Sequence, residues 1–152
     1  MSQQPNELGK LLIERECGRL VNRFALLNDF GDHDGVADLF TADGSFERPI
    51  APGQPIVGRE AIRSMLRARA PRLSRHIISN IVIDVLSDTK AQGLSYVTFV
   101  STTNVTGALP VDAEPHIFVG EYADEFVKSP EGWRFAVRRG RMTLRVVTGG
   151  PG

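Results

Sequence analysis

The chain has 152 residues, 41% of them apolar and 24% charged, a balance that suits one globular domain with a true core and no need of metal or disulfide staples. Its 18 basic and 18 acidic side chains cancel, leaving no net field to gather nucleic acid or anionic lipid. The single cysteine, Cys17, excludes an internal disulfide and suits a reducing compartment; "MSQQPNELGK" lacks a signal peptide's apolar region, no run is long enough to span a bilayer, and the expected location is the cytoplasm.

Between residues 7 and 29, Leu8, Ile13, Cys17, Leu20, Val21, Phe24, Ala25 and Leu27 recur at helical steps, which predicts a helix with one buried face that stops at Gly31. Asp32 is placed to cap a short second helix with Val36, Leu39 and Phe40 facing inward, followed by a turn at "TADG", an extended piece at "SFERP" and the loop "IAPGQPIVG". From Arg59 to Ala70 a third helix sets Ala61, Ile62, Met65 and Leu66 on one side and Arg59, Arg63 and Arg67 on the other, until Pro71 ends the pattern.

The segments "HIISNIVIDVL", "AQGLSYVTFVSTTNV", "HIFVGEYADEFV" and "WRFAVRRGRMTLRVV" are rich in β-branched and aromatic residues and read as four long strands. Turn chemistry at "SDTK" and "SPEG", with the longer "TGALPVDAEP", favours an antiparallel meander. Helices first and strands second make a single α+β domain over residues 1–152, with short disordered ends. A curved antiparallel sheet of this kind wraps the long helix and leaves a pocket at its open end.

Asp29 sits on the shoulder of the buried helical stripe, four residues after Ala25, where the helix macrodipole disfavours a negative charge. Partial desolvation adds to that, so the expectation is a raised pKa suited to general-base work near neutral pH; the plain alternative is a carboxylate in an exposed turn beside Asp32. His76 opens the first long strand and shares a face with Ile78, Asn80 and Val82, which points it at a pocket mouth, against the plain reading of a hydrogen-bonded surface histidine. A carboxylate that orients an imidazole is a recognised acid/base arrangement.

Tyr122 and Asp124 share a strand face with Phe118 and Gly120, a possible pocket wall, with edge exposure favoured for Asp124; His116 opens the same strand. Arg138, Arg139 and Arg141 invite anion binding by a two-pronged guanidinium, but alternation leaves most of them facing solvent unless a bulge near "RRG" intervenes. Asp32, His33 and Asp34 lie within a turn and read as solvated caps rather than as a metal cluster. Arg63, Arg67, Arg69, Arg72 and Arg75 read as a solvated basic face, without the interleaved aromatics of a nucleic-acid site, and the sequon at Asn104 is incidental.

The run "DFGDHDGVADLFTADGSFERP", then "IVGREAIRSML", "RHIISNIVID" and "GEYADEFVKSPEGWRFAVRR", resembles the SnoaL-like branch of the nuclear transport factor two superfamily over nearly the whole chain. The resemblance implies a cone-like fold, N-terminal helices packed in a strongly curved antiparallel sheet around a deep apolar pocket. That family includes scytalone dehydratase, a lindane dehydrochlorinase, polyketide cyclases, ketosteroid isomerase and dioxygenase β subunits, so fold alone leaves function open.

In the dehydratase and the dehydrochlorinase, an Asp closing the first helix and a His opening the first long strand form the base pair, and those positions match Asp29 and His76. The dehydrochlorinase's last-strand Arg matches Arg138, whereas its first-helix Lys is replaced by Phe24. Asn28 precedes the aspartate, and Ser101 to Thr103 stand near the dehydratase's second histidine. The isomerase's catalytic Asp and oxyanion Tyr align with Arg48 and Phe24, so that route is not expected.

The expectation is therefore a cofactor-independent lyase, a dehydratase or related eliminating enzyme, with Asp29 and His76 catalytic. Arg138, Tyr122, Phe24, Asn28 and Phe118 bind a small apolar cyclic or aromatic substrate, and no metal takes part. Two alternatives stay open: a non-catalytic binder or structural subunit resembling a dioxygenase β chain, and a polyketide cyclase with Asp124 as a conceivable acid. A homo-oligomer, dimer or trimer, is expected, with no nucleic-acid or membrane partner.

Overall fold

The computed structural model describes residues 3–149. Asn6 caps the first helix, α1 (Glu7–Asp29), by accepting a hydrogen bond from the Gly9 amide at 2.8 Å. Ile13, Cys17, Leu20, Val21, Phe24 and Ala25 form its buried face. Leu8, expected on that stripe, is exposed, because burial begins only at Ile13 and the opening turns overhang the core. The helix ends as expected: the Phe30 amide still reaches Leu26 O at 3.0 Å, and Gly31 then takes φ 72, a left-handed turn natural to glycine.

Asp32 caps α2 (His33–Ala37) through the Gly35 amide at 2.8 Å. Phe40 was expected to belong to that helix; it opens β1 (Phe40–Glu47) instead, and "TADG" runs inside this strand, where the pairing register slips between Phe40 and Ser45. The loop before the third helix contributes the short β2 (Ile56–Val57). α3 (Arg59–Arg67) buries Ile62 and Leu66 and stops three residues earlier than its apolar pattern suggests, with the cap at Ala68. Four long strands follow: β3 (Leu73–Val85), β4 (Lys90–Thr102), β5 (His116–Ser129) and β6 (Gly132–Val147).

They form one curved, unclosed sheet in the order β2-β1-β6-β5-β4-β3. β3 to β6 make the antiparallel meander, but β1 joins β6 in parallel. Turn chemistry between consecutive strands carries no information about that pairing, because β1 and β6 are distant in sequence. α1 lies against β3 and β6. The core between helix and sheet centres on Phe24, whose ring meets Phe40, Phe46, Tyr122 and Phe135 edge-on at centroid distances of 5.4–6.2 Å. Disorder was expected at both ends. Residues 1–2 and 150–152 lie outside the described residues, whereas Gln3 O accepts from Asp88 N and Thr148 N donates to Pro115 O, each at 2.9 Å.

Single-residue bulges decide which side chains face inward. In β3, Ser79 pairs with Tyr96 but Val82 with Leu94, which leaves one residue extra; Asn80 absorbs it with φ 53. Ile78 therefore faces the core with Ile81, Ile83 and Val85, while Asn80 and Val82, expected on the face of His76, are exposed. In β6, Ala136 is the extra residue between Phe135 and Val137, so inward parity passes from Trp133 and Phe135 to Arg138 and Gly140.

Candidate functional site

Packing of α1 on β3 brings the helix's last residue against the beginning of the strand. Asp29 Oδ1 accepts from Ser74 Oγ at 2.8 Å and lies 2.6 Å from His76 Nδ1, while Oδ2 accepts from the His76 backbone amide at 2.8 Å. An ionised carboxylate only accepts, so Nδ1 carries the hydrogen and Nε2 is left as the basic nitrogen. The two side chains are only 7% and 5% exposed, His76 and Asp29 respectively. The imidazole also leans on Phe99 at a centroid distance of 4.6 Å. His76 is the fourth residue of β3 rather than its opening residue, because the strand begins at Leu73.

The electrostatics of Asp29 run opposite to the sequence expectation. Burial pushes its carboxyl upward, but the hydrogen bonds and charge of His76, aided by Ser74, outweigh that and hold it below the usual carboxylate range. Asp29 is thus a fixed anion at neutral pH. Its position suits orienting the imidazole and stabilising the imidazolium rather than taking a proton itself.

His76 lines a cavity of about 310 Å³. Phe46, Pro49, Ile50, Val97, Phe99 and Met142 give it apolar walls, and Asn28, Thr103 and Tyr122 supply polar groups. Burial holds the Tyr122 phenol above its ordinary value, so it stays a neutral donor. Of the residues expected to bind substrate, Asn28 and Tyr122 line this cavity. Phe24, Phe118 and Arg138 do not. Phe24 is consumed by the aromatic core, and Phe118 lies nearer the start of β5, stacked on His116 at 6.2 Å.

Arg138 is fully buried behind the Tyr122 wall. Its guanidinium carbon sits 3.8 Å from the Tyr122 ring centre, 4.4 Å from that of Phe24 and 4.7 Å from that of Phe135, and Nη1 donates to Asp124 Oδ2 at 3.0 Å. Exposure was the expectation for Asp124, and alternation left most of the strand's arginines facing solvent unless a bulge intervened; the Ala136 bulge turns Arg138 inward, and Asp124 faces it across the β5–β6 pair. Burial pushes the Asp124 carboxyl up to about 6 against the pull of Arg138. Asp124 does not line the cavity of His76, and its side chain is only 1% exposed.

Three cationic residues of the cavity escape the sequence reading: Arg48, Arg69 and Arg72 all line it. Arg67 lies on the solvated face expected of it and pairs with Asp34, whereas the Arg63 side chain is only 15% exposed and pairs with Asp34, Asp38 and Glu60. Arg69 and Arg72 follow the α3 cap at Ala68, where helical spacing no longer says which way a side chain points. The usable signal was the Pro71 break directly before β3.

An α1 helix held in an open six-stranded sheet, with an imidazole–carboxylate pair on the wall of an apolar cavity, defines a protein of the nuclear transport factor two-like cone fold. Within that class, the SnoaL-like domain matches residues 9–139, and the chain belongs to the SnoaL-like family. No functionally curated protein sequence matches it. A candidate scytalone dehydratase from Novosphingobium aromaticivorans superposes with TM-score 0.76 at 25% identity, over 95% of this chain and 93% of that one. A Catenulispora acidiphila protein solved with S-DNPA gives 0.68 at 28%, over 87% and 94%. A type 2 hexachlorocyclohexane dehydrochlorinase, LinA, gives 0.77 at 14%, over 95% of each chain, a likeness of fold alone. No helix among the described residues is long and apolar enough to cross a membrane.

Proposed function

We propose that the protein is a cofactor-independent lyase that eliminates water or halide from a small cyclic or aromatic compound. The observation that carries this is the 2.6 Å contact between Asp29 and an imidazole on the cavity wall. His76 Nε2 removes a carbon-bound proton, the electron pair of that C–H bond becomes the new C=C bond, and the leaving group departs from the adjacent carbon. Asp29 stabilises the imidazolium, and the Tyr122 hydroxyl donates to the departing oxygen or halogen. Arg138 acts as a positioning residue, holding the Tyr122 ring from behind. Family membership and the dehydratase-like neighbour support this reading.

The rival is a carrier or structural subunit, favoured by Phe24, Phe118 and Arg138 standing outside the cavity wall. Incubating the protein with hydroxylated and halogenated cyclic compounds and following alkene and halide release decides between them. Conversion supports the lyase; tight binding without conversion supports the carrier. We further propose that the protein works as a homo-oligomer, since Ile77, Val82, Leu94, Tyr96, Leu144 and Val146 form an exposed apolar outer face of the sheet.

A further inference from the structure

Arg48, Arg69 and Arg72 converge on one cavity from three places: the chain after β1, the turn after α3 and the approach to β3. Among the described residues none of the three forms a salt bridge, whereas Arg59, Arg63, Arg67, Arg134, Arg138 and Arg139 all do. Arg48 Nε is buried with no hydrogen-bond partner. Arg69 Nη1 reaches only Asn28 Oδ1, at 3.1 Å, and Arg72 stacks over Phe99 at 4.9 Å, the ring that also supports His76.

No lining residue is an acid, and Asp29 is already bound to His76 and Ser74. Gathering guanidinium groups in a partly desolvated space without a counter-ion costs free energy. Burial, then the charges of Arg72 and Arg48, pull Arg69 down to about 10 against a smaller opposing effect of Tyr122, and no carboxylate among the described residues pairs with it. An anion entering the cavity would offset it, and a planar carboxylate matches a guanidinium fork.

We infer that the cavity takes a carboxylic acid: Arg69, with Arg48 and Arg72, holds the carboxylate, while Phe46, Val97 and Met142 pack the apolar body of a one-ring molecule near His76. The inference rests on the proposed function only in taking this cavity as the substrate site; binding itself requires no turnover. An acid group would also explain the elimination chemistry, since a carbon next to a carboxylate held by arginine loses its proton more readily than one in an unactivated ring.

The test is calorimetric titration of benzoate and trans-cinnamate against their neutral amides, benzamide and cinnamamide. The wild-type protein and the His76→Ala variant are expected to bind the acids at least about 10-fold more tightly than the amides. Arg69→Gln and the Arg69→Gln/Arg72→Gln double variant, each checked for native circular dichroism, are expected to lose that preference; if the single variant fails to fold, Arg72→Gln, on an exposed residue, is read alone. Equal binding of acids and amides, undetectable binding of the acids, or a preference unchanged in the arginine variants overturns the inference. A retained acid preference with no elimination activity on any panel compound sinks the lyase reading alone, and elimination from neutral compounds without acid preference sinks the carboxylate alone.

Discussion

The His76 Nδ1 atom lies 2.6 Å from Asp29 Oδ1 although 47 residues separate them in the chain. That contact pins the end of α1 to β3, so it bears on stability as well as chemistry. The Asp29→Asn substitution is expected to cost about 1.5–3 kcal/mol at neutral pH, the range for hydrogen bonds to a charged group. Because the folded carboxyl is held below its usual 3.8, its contribution is complete above that value and is lost as pH falls through the lowered one. Urea unfolding is expected to show a gap between wild type and variant at pH ~7 that narrows below pH ~4; a gap that widens in acid contradicts the assignment.

Asp124 gives the opposite sign. Burial raises its carboxyl to about 6, so the folded protein binds the proton more tightly than the unfolded chain does. Ionisation therefore withdraws stability as pH rises from roughly 4 to 6. The Asp124→Asn variant keeps an acceptor for Arg138 Nη1 and removes that penalty, at the cost of leaving the buried guanidinium without a counter-charge. It is expected to be more stable than wild type at pH ~7, by at most about 3 kcal/mol, with the advantage gone near pH ~4. A variant less stable than wild type at neutral pH would show that the Arg138 charge, rather than burial, governs the site.

Asn80 holds the β3 bulge at φ 53, a conformation open to asparagine and glycine but poor for branched side chains. Asn80→Gly is expected to stay within about 0.5 kcal/mol of wild type, while Asn80→Val costs about 1–2 kcal/mol. Thermal or urea unfolding measures both, and a tolerated valine would mean that the bulge relaxes.

The exposed outer face of the sheet gives a prediction about assembly. Leu94 and Tyr96 are 45% and 46% exposed on neighbouring positions of the same β4 face. A Leu94→Glu/Tyr96→Lys double variant is expected to sediment as a monomer where wild type sediments as a larger species. A monomeric wild type would end the oligomer proposal.

Much of this architecture was legible in the sequence because its causes are local. Asp32 and Gly31 bound their helices by capping and left-handed geometry, and helical spacing chose Phe24 and Val21 for the core, whereas the Asn6 cap was not read. The strand reading located all four long strands, yet two-residue alternation failed wherever a bulge intervened: Ala136 turned Arg138 inward and Asn80 turned Val82 outward. Asp29 and His76 were individually visible, but the pKa of Asp29 depended on His76 and Ser74, and one-dimensional reasoning supplied only the helix dipole and desolvation. Arg48, Arg69 and Arg72 were hidden for a different reason. They lie between regular elements, where no periodicity assigns a face.

The most direct test of the central claim is the turnover of the His76→Ala variant, with fold verified, on whichever elimination substrate the wild type converts. Loss of a positioned base predicts a fall of roughly 10²–10⁴-fold in kcat, with substrate binding retained. An unchanged kcat would contradict the account, because the imidazole held by Asp29 would then have no part in the chemistry.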